Sequence, residues 1–178
     1  MKWLNTIFGR KTTMFALPAG TPAPSFELPI MDGSRFSLQD ALSRGPLLAI
    51  FFKVSCPTCQ YAFPYFERIH KIYGGKGVSI VGISQNDGPD TAAFLQKYHI
   101  TFPVLLDDTK TYPVSNAYGL TNVPTAFWIS KDDKIEISSV GWVRQEFEEI
   151  ARKAASAIGN LPRPVFQPSE QVADFRAG

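Results

Sequence analysis

Sulfur and imidazole are scarce in this chain. Its 178 residues include two cysteines, two histidines and three methionines. So few cysteines cannot form the disulfide framework of a small secreted scaffold. A structural zinc site takes four ligands, usually thiolate and imidazole. Here His70 falls on the helix expected after the cysteines and His99 in a separate segment, so no metal is called for. An excess of one charge is missing too. Eighteen basic and 16 acidic residues leave a formal +2, which makes no electrostatic case for nucleic acid or an anionic membrane. No apolar run approaches the roughly 20 residues of a membrane-spanning helix. Tandem repeats and low-complexity tracts are absent. What is plentiful is apolar and aromatic: 44% of residues are hydrophobic and 14 are phenylalanine. That predicts one densely packed domain at this length.

The two cysteines are two residues apart, in Cys56-Pro57-Thr58-Cys59. The apolar run Leu47–Phe52 before them predicts a buried strand. After them Tyr61, Phe63, Phe66, Ile69 and Ile72 recur at helical spacing. The pair therefore sits at a strand-to-helix junction. The first turn of a helix has free N–H groups and a partial positive charge, which favour a thiolate, the nucleophilic form of cysteine. Pro57 suits the first helical position, where its missing N–H costs nothing. Cys56 is then the exposed nucleophile and Cys59, about a turn on, the resolving sulfur.

The rest of the chain organises around that junction. Residues 1–16 read as a leader. The apolar stretch near Trp3 is broken by Asn5 and Thr6 and stopped by Arg10 and Lys11, too short for a secretory segment. A cytoplasmic location follows, with a periplasmic or exported one as the alternative. A proline-rich lead-in precedes a hairpin turning at Asp32-Gly33. Gln39–Ser43 reads as one helical turn. The helix from Pro57 is expected to kink at Pro64 and to end at Gly74-Gly75. Val78–Ser84 is a second strand, parallel to the first. A helix follows through Tyr98, with Asp90 expected as its N-cap. Phe102–Leu106 is extended and Tyr112–Tyr118 a short helix. Val123–Ile129 and Ile135–Val140 form a second hairpin. Arg144–Ile158 is an amphipathic helix. The expected fold is α/β, with a mixed sheet and helices on both faces, over residues 17–160. The tail, 161–178, has three prolines and few apolar residues and reads as irregular and solvated.

This constellation resembles the thioredoxin fold. The lead-in Thr21–Leu28, the Asp32-Gly33 hairpin and Phe102-Pro103-Val104 with Asp107 are similar to the AhpC/TSA and TlpA/ResA-like thiol–disulfide oxidoreductases. The resemblance covers about residues 17–158. It implies a cis peptide bond before Pro124 and a substrate peptide paired with the backbone of Val123 beside Cys56. It implies exchange of a dithiol and a disulfide between Cys56, Cys59 and protein substrates. No cofactor is needed, an external thiol reductant recycles the pair, and a monomer suffices.

Several positions depart from that pattern. Ser55 stands where many thioredoxins have tryptophan, and Ile50 where thioredoxin has a buried acid. Ala62 stands where the ResA-like group has glutamate, so no carboxylate is evident to take the proton from Cys59. Lys53, Pro57 and Thr58 are the positions left to tune the pair, Lys53 through its charge if the ammonium reaches the sulfur. Two alternatives stay open. One is a peroxiredoxin-like peroxidase, whose motif would want proline and threonine where Ala49 and Lys53 stand. The other is a non-catalytic thioredoxin-fold binding module.

Overall fold

A computed structural model describes residues 15–178. The leader expected over 1–16 lies almost entirely outside the described residues. Strands β1 (Glu27–Pro29) and β2 (Arg35–Ser37) form the first hairpin. Helix α1 (Leu38–Arg44), strand β3 (Leu47–Phe52), helix α2 (Pro57–Tyr73) and strand β4 (Ser79–Ser84) follow. Next come α3 (Gly88–Tyr98), β5 (Val104–Leu106), α4 (Pro113–Ala117), β6 (Thr125–Ile129) and β7 (Ile135–Val140). The chain closes with β8 (Trp142–Val143), α5 (Arg144–Ala157) and β9 (Phe175–Arg176).

The central sheet has the order β5-β4-β3-β6-β7. Strand β3 runs parallel to β4, with Ile50 opposite Gly82, and antiparallel to β6, with Ile50 opposite Ala126. A strand covered on both faces has no solvent side, which is why Leu47–Phe52 is apolar throughout and wholly buried. Successive side chains point to opposite faces. Leu48, Ile50 and Phe52 enter a core with α2, α3 and α5, including Phe63, Phe66, Phe94 and Phe147. Leu47, Ala49 and Phe51 enter the other, with Leu38, Leu42, Val114 and Tyr118. The β1–β2 hairpin is tied to the sheet edge by Met31 N–H donating to Val104 O at 3.0 Å. The expected mixed α/β architecture is the one observed.

Helix α2 runs through Pro64 as one element; its buried face holds it together where one backbone donor is lost. Two local expectations change. The N-cap of α3 is Asp87, not Asp90: the Asp87 carboxylate accepts from Asp90 N–H at 3.0 Å. Pro89 then lies in the first turn, where proline is tolerated, and Asp90 contributes only its negative charge to the positive end. The second change is the tail. It is not a solvated appendage. Val165 is buried, Phe166 packs beside Trp142 and Phe147, and Arg68 grips Glu170 with two hydrogen bonds of 2.8 and 2.6 Å. That ion pair holds the Glu170 carboxyl well below the usual range, at about 2. Farther on, β9 pairs antiparallel with β8.

Candidate active site

Strand β3 ends at Phe52, and four residues carry the chain to α2. The turn is held from both sides. Val54 N–H donates to the Asn86 side-chain oxygen at 3.0 Å, and Gln60 Nε2 donates to Val54 O at 2.9 Å. Cys56 N–H closes the turn on Lys53 O at 3.2 Å. Cys56 is thereby the N-cap of α2, and Pro57 is the first helical residue. The Cys59 N–H donates to Cys56 Sγ at 3.2 Å. A free N–H of the first turn thus points at the sulfur, as expected of a cysteine at a helix N-terminus.

The two sulfurs differ in setting. Cys56 is partly exposed and Cys59 is fully buried. Burial, reinforced by the neighbouring Cys56, pushes the Cys59 thiol far above the ordinary cysteine range. The residue a turn away that could have been glutamate is Ala62, itself buried. The buried acid nearest in sequence is Glu67, whose carboxylate accepts from Thr101 N–H and Thr101 Oγ1. It caps the Thr101 loop.

Across from the cysteines, the Val123–Pro124 peptide is cis. Cys56 S–H donates to Val123 O at 3.2 Å. The hydroxyl of Thr125 holds this segment by donating to Asn122 O at 2.8 Å. Cys56, Cys59, Val123 and Pro124, distant in sequence, therefore converge because β3 and β6 are adjacent strands. Lys53 is exposed, with its ammonium 5.7 Å from the centre of the Tyr112 ring, on the rim of a polar recess that Gln85, Asn122 and Val123 also line. Pro57 is exposed. Thr58 is buried, its hydroxyl donating to Ala177 O of the tail at 2.6 Å. Among the described residues no group of three or more His, Cys, Asp or Glu side chains could hold a metal.

Sequence reasoning misses Asn86, Gln60 and the tail. Asn86 and Gln60 act through one backbone unit, Val54, that only the fold brings to them. Their one signal is polar side chains flanking an apolar run.

Comparisons with known proteins match this geometry. The family model described as Redoxin matches residues 18–154. The Thiol-disulfide oxidoreductase ResA of Bacillus thuringiensis subsp. konkukian is 31% identical over 137 residues, covering 75% of this chain and 77% of its own. The protein of that name from Geobacillus thermodenitrificans is 29% identical over 136 residues, covering 76% of both chains. Among solved structures, a thiol:disulfide interchange protein of the thioredoxin family from Chlorobium tepidum superposes with a TM-score of 0.64. It is 27% identical, over 82% of this chain and 99% of that one. Peroxidoxin BcpB from Mycobacterium tuberculosis superposes with a TM-score of 0.61 and 26% identity, over 80% of this chain and 96% of that one. With the family model spanning the lead-in, both cysteines, the cis-proline segment and most of α5, the chain belongs to the Redoxin family.

Proposed function

We propose that this protein is a thiol–disulfide oxidoreductase that exchanges its Cys56/Cys59 dithiol with disulfides of protein substrates. The observation that carries this reading is the pairing of a partly exposed, helix-capping sulfur with a buried one a turn away. The Cys56 thiolate attacks one sulfur of a substrate disulfide. The Cys56–substrate bond forms as the substrate S–S bond breaks, and the departing thiolate takes a proton. Cys59 then loses its proton and attacks Cys56 Sγ. The 56–59 disulfide forms, and the second substrate sulfur leaves as a thiolate. Two electrons and two protons have passed to the substrate, and an external thiol reductant restores the pair. Both sulfurs and the groove come from one chain, so a monomer suffices.

Val123 is the substrate-positioning residue of this proposal, with Pro124 fixing its orientation. Its carbonyl accepts from the Cys56 thiol in the free protein. A substrate backbone N–H that takes over this carbonyl releases the S–H from it, which couples peptide docking to activation. Lys53, Pro57 and Thr58 neighbour the cysteines in sequence and are proposed to adjust their reactivity. In a cytoplasmic setting the cellular thiol pool would keep the pair reduced. An exported setting would require a dedicated reductant. Among the described residues no helix is long and apolar enough to cross a membrane.

The test is a glutathione-buffered redox titration of the pair, read as the mass shift on thiol trapping, with Cys59→Ser as control. A single reversible two-electron transition is expected. A pair that stays dithiol across the accessible range would sink the exchange mechanism.

The buried Cys59 thiol adds a pH prediction. Its ionisation is pushed up, so the thiolate fraction is small at neutral pH and grows about tenfold per pH unit below its pKa. In single-turnover stopped-flow experiments, release of substrate from the mixed disulfide should climb with close to unit slope up to at least about pH 9. A plateau near neutral pH would instead reveal a local base that takes the Cys59 proton.

A further inference from the structure

The tail reaches the site just described. After α5 the chain crosses α2, where Arg163 N–H donates to Tyr73 OH at 2.9 Å and Arg68 holds Glu170. It then meets two aromatic side chains. Ala173 N–H donates to Tyr61 OH at 3.0 Å, and Trp142 Nε1 donates to Ala173 O at 2.6 Å. Arg144 N–H donates to Asp174 O at 2.9 Å, and β9 pairs with β8 through Trp142 opposite Arg176. The Arg176 guanidinium lies 4.4 Å from the centre of the Tyr61 ring. These contacts deliver the last residues to the active-site groove. Thr58 Oγ1, between the two cysteines, donates to Ala177 O at 2.6 Å, and Asn122 Nδ2 donates to Gly178 O at 3.2 Å.

The approach is close enough to need glycine on both sides. A Cβ on Gly178 would come within 2.6 Å of Val123 O, and one on Gly141 within 2.6 Å of Arg176 O. An extended segment therefore lies on Asn122-Val123, against the residue that the proposed function assigns to substrate pairing, and it hydrogen-bonds within the cysteine motif.

We propose that residues 174–178 are a tethered occupant of the substrate groove, which a protein disulfide must displace before Cys56 can attack it. This rests on the oxidoreductase reading. Residues 174–178 are exposed and are held by a two-residue ladder and a few polar contacts, whereas Val165 is buried in the core and Phe166 packs against it. The strap can lift out of the groove without unpacking the domain. Cys56 remains partly exposed beneath it, so small disulfides reach the sulfur with the strap in place and extended peptides do not.

Two single-residue variants of the chain release the strap from positions outside the catalytic machinery. Arg176→Pro removes a ladder donor and the stacked guanidinium. Gly178→Leu puts a side chain against Val123 O. The reduced proteins are reacted with insulin, as the protein disulfide, and with hydroxyethyl disulfide, as the small one. Both variants should react with insulin about tenfold faster than the parent, as expected when the competent fraction rises from roughly a tenth towards unity. With hydroxyethyl disulfide the change should stay within about twofold. Equal rates with insulin, or an equal rise with both disulfides, would overturn the strap while leaving the oxidoreductase reading intact. A parent protein inert to both would overturn that reading and the strap with it. A second measurement uses Cys59→Ser linked through Cys56 to a cysteine-containing peptide. Amide exchange across 174–177 should speed up about tenfold against the reduced, unlinked protein, and unchanged protection would overturn the proposal.

Discussion

Replacing Cys56 with serine is expected to lower the rate of protein-disulfide reduction by on the order of a thousandfold or more, since a hydroxyl cannot supply the nucleophile at neutral pH. Replacing Cys59 with serine should do something different. The first attack proceeds, the mixed disulfide cannot be resolved from within, and a covalent adduct accumulates with the mass of one substrate added. The asymmetry follows from the geometry. Cys56 is partly exposed and accepts a helix N–H, whereas Cys59 is fully buried and its thiol is pushed up by that burial. Insulin reduction together with intact-protein mass spectrometry checks both. An adduct that forms through Cys59 in the Cys56→Ser protein would reverse the assignment of roles. Comparable peroxide consumption by both single variants would point to another chemistry. The resemblance to a peroxidoxin structure does not favour it, because Ala49 lies buried in β3 and Lys53 occupies the turn.

Phe63→Ala is expected to be the most damaging single truncation for stability. Phe63 is fully buried and touches four aromatic rings: Phe52 at 4.3 Å between centroids, Phe94 at 5.1 Å, Phe102 at 5.7 Å and Phe66 at 6.2 Å. These come from α2, β3, α3 and the approach to β5, so no one element can move to fill the gap. The loss is the transfer free energy of the ring plus the cavity it leaves, about 3–5 kcal/mol. For a chain of this size that lowers the melting temperature by about 10 °C. Urea titration followed by circular dichroism checks the prediction, and a loss below about 1 kcal/mol would show that the cluster repacks.

How much of this the sequence discloses depends on how local the physics is. Strand β3 announces itself because a strand buried on both faces must be apolar at every position. The cysteine motif is legible because a helix start, a proline at its first position and two thiols fall within four residues. Both hairpins show through their turns. The N-cap of α3 is misread because Asp87 and Asp90 are both suitable caps three residues apart. The position of Pro89 inside the first turn is the clue that favours Asp87. The tail is misread for a deeper reason. Its composition is that of a solvated segment, and its order comes from partners far away in sequence: Tyr61, Arg68, Trp142 and Asn122. A two-residue strand such as β9 has no periodicity of its own. The clamp on Val54 is hidden as well: Asn86 reaches it from 32 residues away, and the bond from Gln60 depends on how the turn enters α2.

Because the strap is covalently joined to the domain it covers, it competes as an intramolecular ligand, and its local concentration does not fall on dilution. Its effect is therefore a constant multiplier on the apparent affinity for every protein substrate, with the chemical step unaltered once the groove is taken. For a partner offering only one or two backbone contacts, that roughly tenfold penalty falls on an affinity that is weak to begin with. A partner with a longer extended segment, or with a second contact on the Tyr61 ring that Arg176 covers, overcomes it. Residues 174–178 thereby act as a filter on the length of the incoming chain, set by how firmly Ala177 and Gly178 are held at Thr58 and Asn122.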